Sequence, residues 1–240
     1  MELILPDWPA PAKVRALSTT RSGGVSAGPY ASLNLGDHVE DDPAAVAENR
    51  ARLRKHLPAE PLWLKQVHLA DVADADSASG VPEADASVAR AAGKVCAILT
   101  ADCLPLLLCD RAGTVVAAAH AGWRGLAGGV IEAAVEAMNV PPGEVLAWLG
   151  PAIGPAAFEV GGEVRDAFLA FDPAAEAAFV ARENGKWLAD IFLLARQRLG
   201  KIGITAVYGG GVCTYSDSER FYSYRRDGAT GRMASLVWRE

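Results

Sequence analysis

The sequence predicts an α+β fold: one domain over residues 1–240, with mixed β-sheets flanked by helices. Helical and strand-like patterns interleave without a regular βαβ repeat, and that argues against a doubly wound parallel sheet. The apolar runs Leu104 to Cys109 and Thr114 to His120 are joined only by Asp110-Arg111-Ala112-Gly113, and at least one strand pair is expected to be antiparallel. A chain of 240 residues with 51% apolar content, 24 Gly and 14 Pro can bury a large core threaded by many turns.

Leu17 to Thr20 reads as a short strand, and the glycine- and proline-rich Ser22 to Pro29 reads as a loop. Asp42 is a natural N-cap with Pro43 at the first helical position, opening a helix to about Leu57. Val46, Arg50, Leu53 and Leu57 share its apolar stripe, which turns the Arg50 guanidinium inward. Val95 to Thr100, Leu104 to Cys109 and Thr114 to His120 read as three neighbouring strands of one buried sheet. Leu126 to Met138 forms a helical face, stopped by Asn139-Val140-Pro141-Pro142-Gly143. Strand, glycine-rich turn and helix in that order put His120 and Arg124 at a turn. Further strands are expected at Val145 to Leu149, Ile202 to Tyr208 and Met233 to Trp238, and helices at Gly162 to Phe171 and Asp190 to Leu199.

A formal charge of −6 lacks the basic surface that phosphate-backbone neutralisation needs, so no nucleic-acid partner is expected. The start Met1-Glu2-Leu3-Ile4-Leu5-Pro6 resembles neither a signal nor a transit peptide, and no run approaches the roughly 20 apolar residues of a membrane span. Cys96, Cys103, Cys109 and Cys213 show no CxxC pair and no disulfide framework, which fits a reducing compartment. A cytoplasmic monomer without a membrane partner is the expectation.

His68, Cys103 and His120 stand out because each lies where an apolar run stops. Two imidazoles and a thiolate are a natural ligand set for one transition metal with an open position. The same residues also fit a cysteine nucleophile activated by one histidine. The second histidine is surplus in that scheme, which favours metal. Cys96 and Cys109 read as small buried hydrophobes. Arg50, Arg124 and Arg225, each flanked by apolar, aromatic or glycine residues, are candidates for holding phosphate or carboxylate. Gly209-Gly210-Gly211 is a weak anion loop, lacking the Lys-Ser/Thr of a Walker motif. Asn34 closes an Asx turn or contacts a sugar or base.

Six segments together resemble the YfiH-type family, whose members carry laccase-domain or polyphenol oxidase labels and are described as purine nucleoside phosphorylases. They are Ser32-Leu33-Asn34-Leu35-Gly36, Gln66-Val67-His68, Thr100-Ala101-Asp102-Cys103-Leu104-Pro105, Ala119-His120-Ala121-Gly122-Trp123-Arg124-Gly125, Leu149-Gly150-Pro151-Ala152-Ile153-Gly154 and Tyr224-Arg225-Arg226-Asp227-Gly228. The resemblance spans nearly the whole chain; one departure is Leu69 after His68, where the family often has glycine.

This resemblance implies a zinc site of His68, Cys103 and His120, with copper as the alternative metal. It implies phosphorolysis of adenosine, inosine, guanosine and methylthioadenosine to base and sugar 1-phosphate, with adenosine deamination in the same site. The implied fold is that of cytotoxic-necrotising-factor-type cysteine hydrolases. In this scheme Arg50, Arg124 and Arg225 bind phosphate, Asn34 contacts the nucleoside, and Asp102 is a catalytic residue that orients the site or moves protons.

The oxidase label meets an arithmetic obstacle. Mononuclear and trinuclear copper centres together take about ten histidines, and this chain has four: His38, His56, His68 and His120. A single-copper polyphenol oxidase, a peptidoglycan-editing hydrolase and a non-catalytic metal- or nucleotide-binding protein are the competing expectations.

Overall fold

The computed structural model describes all residues, 1–240. In chain order its elements are β1 (Leu3–Ile4), β2 (Val14–Thr19), α1 (Pro43–Arg54), β3 (Pro61–Leu62), β4 (Val72–Asp74), β5 (Ala86–Ala89), β6 (Val95–Thr100), β7 (Leu104–Asp110) and β8 (Val116–Ala121). The second half adds α2 (Trp123–Gly128), α3 (Val130–Met138), β9 (Val145–Leu149), β10 (Glu159–Val160), α4 (Gly162–Phe171), β11 (Phe179–Ala181), β12 (Trp187–Ala189), α5 (Ile191–Lys201), β13 (Ala206–Gly209), α6 (Tyr224–Asp227) and β14 (Met233–Arg239).

Two mixed sheets stack face to face. The five-stranded one runs β1-β2-β14-β6-β3 and the six-stranded one β13-β9-β7-β8-β5-β4. A small sheet, β10-β12-β11, lies apart. Within the large sheets only β3 on β6, β13 on β9 and β4 on β5 are parallel. The expectation of an α+β fold with mixed sheets is met.

Alternating side chains divide the core. Cys96 and Ile98 of β6 meet Leu107, Cys109, Val116 and Ala118 between the two sheets. Val95, Ala97 and Leu99 turn the other way, onto Leu53 and Leu57 of the α1 side. Leu104, Leu106, Ala117 and Ala119 face Val130, Ala134, Leu194 and Leu199 of α3 and α5. The layers are therefore helix, sheet, sheet, helices. Strands covered on both faces read as unbroken apolar runs, because neither side needs polar residues.

For the same reason the sequence could not say which sheet a strand joins. Val95–Thr100 is not a neighbour of Leu104–Asp110; it belongs to the five-stranded sheet, paired with β14. Ala101-Asp102-Cys103 is the crossing from one sheet to the other. Asp102 makes this bend at φ +91°, a left-handed conformation uncommon outside glycine.

Other expectations shift by a few residues. Asp42 caps α1 by accepting from Ala44 N at 3.0 Å, but the helix ends at Arg54 rather than Leu57. Leu57 precedes Pro58, which disfavours helical backbone there, and Arg54 donates to the Leu57 and Pro58 carbonyls. The helix expected over Leu126 to Met138 starts at Trp123 and breaks at Gly129, φ +97°. Arg198 of α5 fills the break, bonding Ala127 O at 3.3 Å and Glu132 at 2.7 Å. The strand expected from Ile202 begins at Ala206, because Ile202 caps α5 and Gly203 turns at φ +90°. No helix is long and apolar enough to cross a membrane.

Candidate functional site

The ligand-type atoms of His68, Cys103 and His120 lie within 4.8 Å of one another. Three separate pieces of chain bring them there. Cys103 ends the crossing between the sheets, and His120 lies inside β8 rather than at a turn, opposite Pro105 of β7. His68 comes from the loop between β3 and β4 and adopts φ +64°. The two imidazole rings stand edge to face, centroids 4.7 Å apart.

The loop holding His68 closes on one buried carboxylate. Asp85, fully buried just before β5, accepts N–H bonds from Val67, His68 and Leu69 at 2.8 to 3.0 Å. Its Oδ1 also lies 2.8 Å from His120 Nδ1. Charge-assisted bonds of this kind are short and strong, and here they fix the ring of one ligand and the backbone of another. Burial alone would raise the Asp85 pKa, but the His120 and backbone bonds outweigh it and hold the carboxylate below its usual range. Leu69 needs no positive φ, so its departure from glycine leaves the loop closed; His68 carries the strained conformation instead.

With Nδ1 committed to Asp85, the other ring nitrogen of His120 faces Cys103. Burial opposes the thiolate, yet the charges and hydrogen bonds of His120 and His68 lower the Cys103 pKa to about 6. The reciprocal effect raises His120, against its own burial. Cys96 and Cys109 go the other way: burial pushes both thiols up to about 12, as expected of inert core cysteines.

Gly122 accounts for the glycine after Ala121. A Cβ there would stand 2.9 Å from Cys103 Sγ and 3.3 Å from His68 Cδ2. Gly125 similarly lets α2 pass against the Leu69 carbonyl, which a Cβ would meet at 2.8 Å. The glycines of Ala121-Gly122-Trp123-Arg124-Gly125 thus admit the two other ligand segments at close range.

The three donors open into a cavity of about 280 Å³, which His38, Gln66, Thr100, Tyr224 and Arg232 also line. That is near the lower end of small-molecule clefts. Gln66 builds one wall by bonding both the N–H and the C=O of Leu99, as a strand neighbour would. A wider groove along Glu132 to Pro142 holds about 460 Å³ but no Cys or His.

The other candidates are not gathered here; none of Asn34, Arg50, Arg124 or Arg225 lines the cavity. Arg50 does point inward, but it is spent on Leu35 O at 3.0 Å, Asp37 at 3.2 Å and the Trp63 ring. Arg124 is exposed and lies over Trp123, while Arg225 donates to Glu159 O at 2.7 Å beside Phe158. Asn34 is fully buried: its Oδ1 accepts from Gly36 N and Arg232 N, and its Nδ2 donates to Gly36 O and Asp41. Asp102 accepts from Thr214 Oγ1, Ser223 Oγ and Arg225 N, so its carboxylate clamps the 214–225 segment beside Cys103. Gly209, within the triple glycine, packs on Leu149 O and the Trp148 indole, where a Cβ would intrude.

Asp85, Arg232 and His38 were not marked by the sequence. A carboxylate opening an apolar strand, Asp85 before Ala86–Ala89, and an arginine opening another, Arg232 before Met233, were the available signals.

One ion fits the His–Cys–His set in donor chemistry and in spacing. A multinuclear copper centre does not fit, since His38 and His56 are the only other histidines and neither joins a second cluster of donors.

Comparison with known proteins agrees in extent with this architecture. Residues 15–240 match the family model described as "Multi-copper polyphenol oxidoreductase laccase". A Pseudomonas aeruginosa protein named purine nucleoside phosphorylase is 64% identical over 236 residues, covering 98% of this chain and 97% of its own. Escherichia coli (strain K12) purine nucleoside phosphorylase YfiH is 56% identical over 243 residues, covering 99% and 98%. Among solved structures, Neisseria meningitidis protein NMB0706 superposes with a TM-score of 0.97 at 54% identity over the whole of both chains. By these matches the chain belongs to the YfiH-type, laccase-labelled family.

Proposed function

We propose that this chain is a purine nucleoside phosphorylase that also deaminates adenosine, working as a cytoplasmic monomer of one domain on small molecules. The observation that carries the reading is the thiolate and two imidazoles opening into one cavity, in a chain whose near relatives bear the phosphorylase name. Adenosine, inosine, guanosine and methylthioadenosine are the proposed substrates, with phosphate as the second. His68, Cys103 and His120 would hold zinc, or else copper, and the ion supplies Lewis acidity to the cavity.

The chain's own residues prepare that centre. Asp85 fixes the tautomer of His120, so its Nδ1 keeps the proton and its other nitrogen stays a donor toward the ion. Asp102 positions rather than reacts, tying the Ser223–Arg225 segment to the cavity mouth. Arg50 and Arg225 tie chain segments together through Leu35 O, Asp37 and Glu159 O, and Asn34 acts through the backbone of Arg232.

A second reading is favoured by one observation: Cys103, His120 and Asp85 also form a nucleophile, base and orienting acid in sequence of contact. It corresponds to a hydrolase with the fold of cytotoxic-necrotising-factor-type enzymes, acting on muropeptide precursors. Adenosine incubated with the protein, with and without phosphate, separates the readings. Adenine and ribose 1-phosphate formed only with phosphate support phosphorolysis, and inosine formed in either case supports deamination. Absence of both, with hydrolysis of a muropeptide amide, supports the second reading.

A further inference from the structure

Arg232 is the one guanidinium in the cavity. Its backbone N–H is anchored on Asn34 Oδ1 at 2.9 Å, and its NH1 donates to Thr230 O at 2.9 Å and Gly231 O at 3.0 Å. Nε and NH2 make no hydrogen bond, and no carboxylate lies within 4.0 Å of the group.

Other half-buried arginines without a carboxylate, Arg21, Arg54, Arg196 and Arg239, lie outside the cavity, and four sheltered ones are paired. Arg50 has Asp37 at 3.2 Å, Arg165 has Glu176 at 2.5 Å, Arg198 has Glu132 at 2.7 Å and Arg226 has Asp227 at 2.8 Å. The acidic groups that bear on Arg232, Cys103 and Asp102, are already engaged by the imidazoles and by Thr214, Ser223 and Arg225 N. Half-buried, with two nitrogens free of protein acceptors, this guanidinium has a planar fork that suits a tetrahedral oxyanion. His38 shares the cavity; burial and the Arg232 charge lower its pKa against the opposing pull of Asp37, whose carboxylate lies 3.6 Å from its Nδ1.

We propose that Arg232, with His38 beside it, forms the phosphate subsite of this cavity, taking the monohydrogen phosphate that attacks the sugar. This rests on the phosphorylase reading. A phosphate oxygen bonds to C1′ as the C1′–N9 bond breaks, its electron pair goes to the purine, and the proton of the monohydrogen phosphate ends on the base. Arg232 holds the attacking anion on the cavity wall shared with Cys103. The buried Asn34 amide, itself closed to substrate, sets the Arg232 backbone.

The test uses Arg232→Gln and Arg232→Lys, each checked by circular dichroism and metal analysis. In phosphorolysis of inosine, Arg232→Gln should raise the phosphate KM on the order of 30-fold while the inosine KM moves less than about threefold. Arg232→Lys, keeping the charge but losing the fork, should fall between. Broadening of the phosphorus-31 resonance of inorganic phosphate by metal-stripped protein gives a readout without turnover, and Arg232→Gln should abolish it. An unchanged phosphate KM in Arg232→Gln, or unchanged broadening, overturns the subsite. If Arg232→Gln does not fold, a wild-type phosphate KM in Arg232→Lys overturns it. Broadening that depends on Arg232, in a wild type that phosphorolyses no purine nucleoside, leaves the anion subsite standing and removes the phosphorylase reading instead.

Discussion

Asp85 Oδ1 lies 2.8 Å from His120 Nδ1, and the same carboxylate accepts the N–H groups of Val67, His68 and Leu69. One acid therefore aligns two of the three metal-type donors. Asp85→Asn removes the charge and one acceptor oxygen, leaving at least one buried N–H unpaired. Stability should fall by about 2–4 kcal/mol, and metal affinity by about 10–100-fold. Calorimetry and competition with a chromophoric chelator measure the two losses; unchanged affinity would mean that Asp85 shapes the loop without orienting the ligands.

Cys103 should react as a thiolate well below the ordinary cysteine range, because His120 and His68 lower its pKa to about 6. In chelator-stripped protein, carboxamidomethylation mapped by mass spectrometry should proceed at pH 7 on Cys103, while Cys96 and Cys109 stay unmodified until unfolding. His120→Ala should shift the Cys103 profile upward. Peptide-level mapping keeps the half-buried Cys213 out of the count.

Gly122→Ala is a selective perturbation. Its φ of −60° suits alanine, so the backbone is unstrained, but the new Cβ would press on Cys103 Sγ at 2.9 Å. Overpacking of this kind costs about 1–3 kcal/mol. Metal affinity and turnover should drop at least tenfold, on the order expected when a ligand is displaced by a fraction of an ångström. Wild-type metal affinity in a folded Gly122→Ala protein would contradict the close approach.

Acid stability follows from two buried carboxylates. Asp85 and Asp110 are both held below the ordinary aspartate value of 3.8 by hydrogen bonds that outweigh burial. A depressed folded pKa gives stability that is fully present above 3.8 and is lost as pH falls through the folded values. Urea midpoints should therefore fall steeply below about pH 4. Asp110→Asn should flatten part of that fall without changing metal binding, since Asp110 serves only the Thr114–Val115 turn.

Element types were legible where one physical signal decided them: Asp42-Pro43 for the start of α1, Asp110 to Gly113 for the β7–β8 turn, and Gly162 to Phe171 for α4. Sheet membership was not, because Val95–Thr100 is covered on both faces and its sequence carries no record of which neighbour covers it. The small strands Ala86–Ala89 and Glu159–Val160 were missed for want of length. At the site, rare residue types identified His68, Cys103 and His120. Common types did not reveal themselves, since an aspartate or arginine is ordinarily a solvated surface group. The arginines marked by apolar, aromatic or glycine neighbours are paired or stacked, and the one that lines the cavity, Arg232, has only Gly231 and Met233 beside it.

The most direct test of the account is ribose 1-phosphate formation from inosine and phosphate, measured on wild-type and Cys103→Ala protein with metal content determined on the same samples. The prediction is turnover with one bound ion per chain in the wild type, and loss of both in folded Cys103→Ala. Turnover that persists in the metal-free variant, or a metal-replete wild type that releases no sugar phosphate from any purine nucleoside, would contradict it.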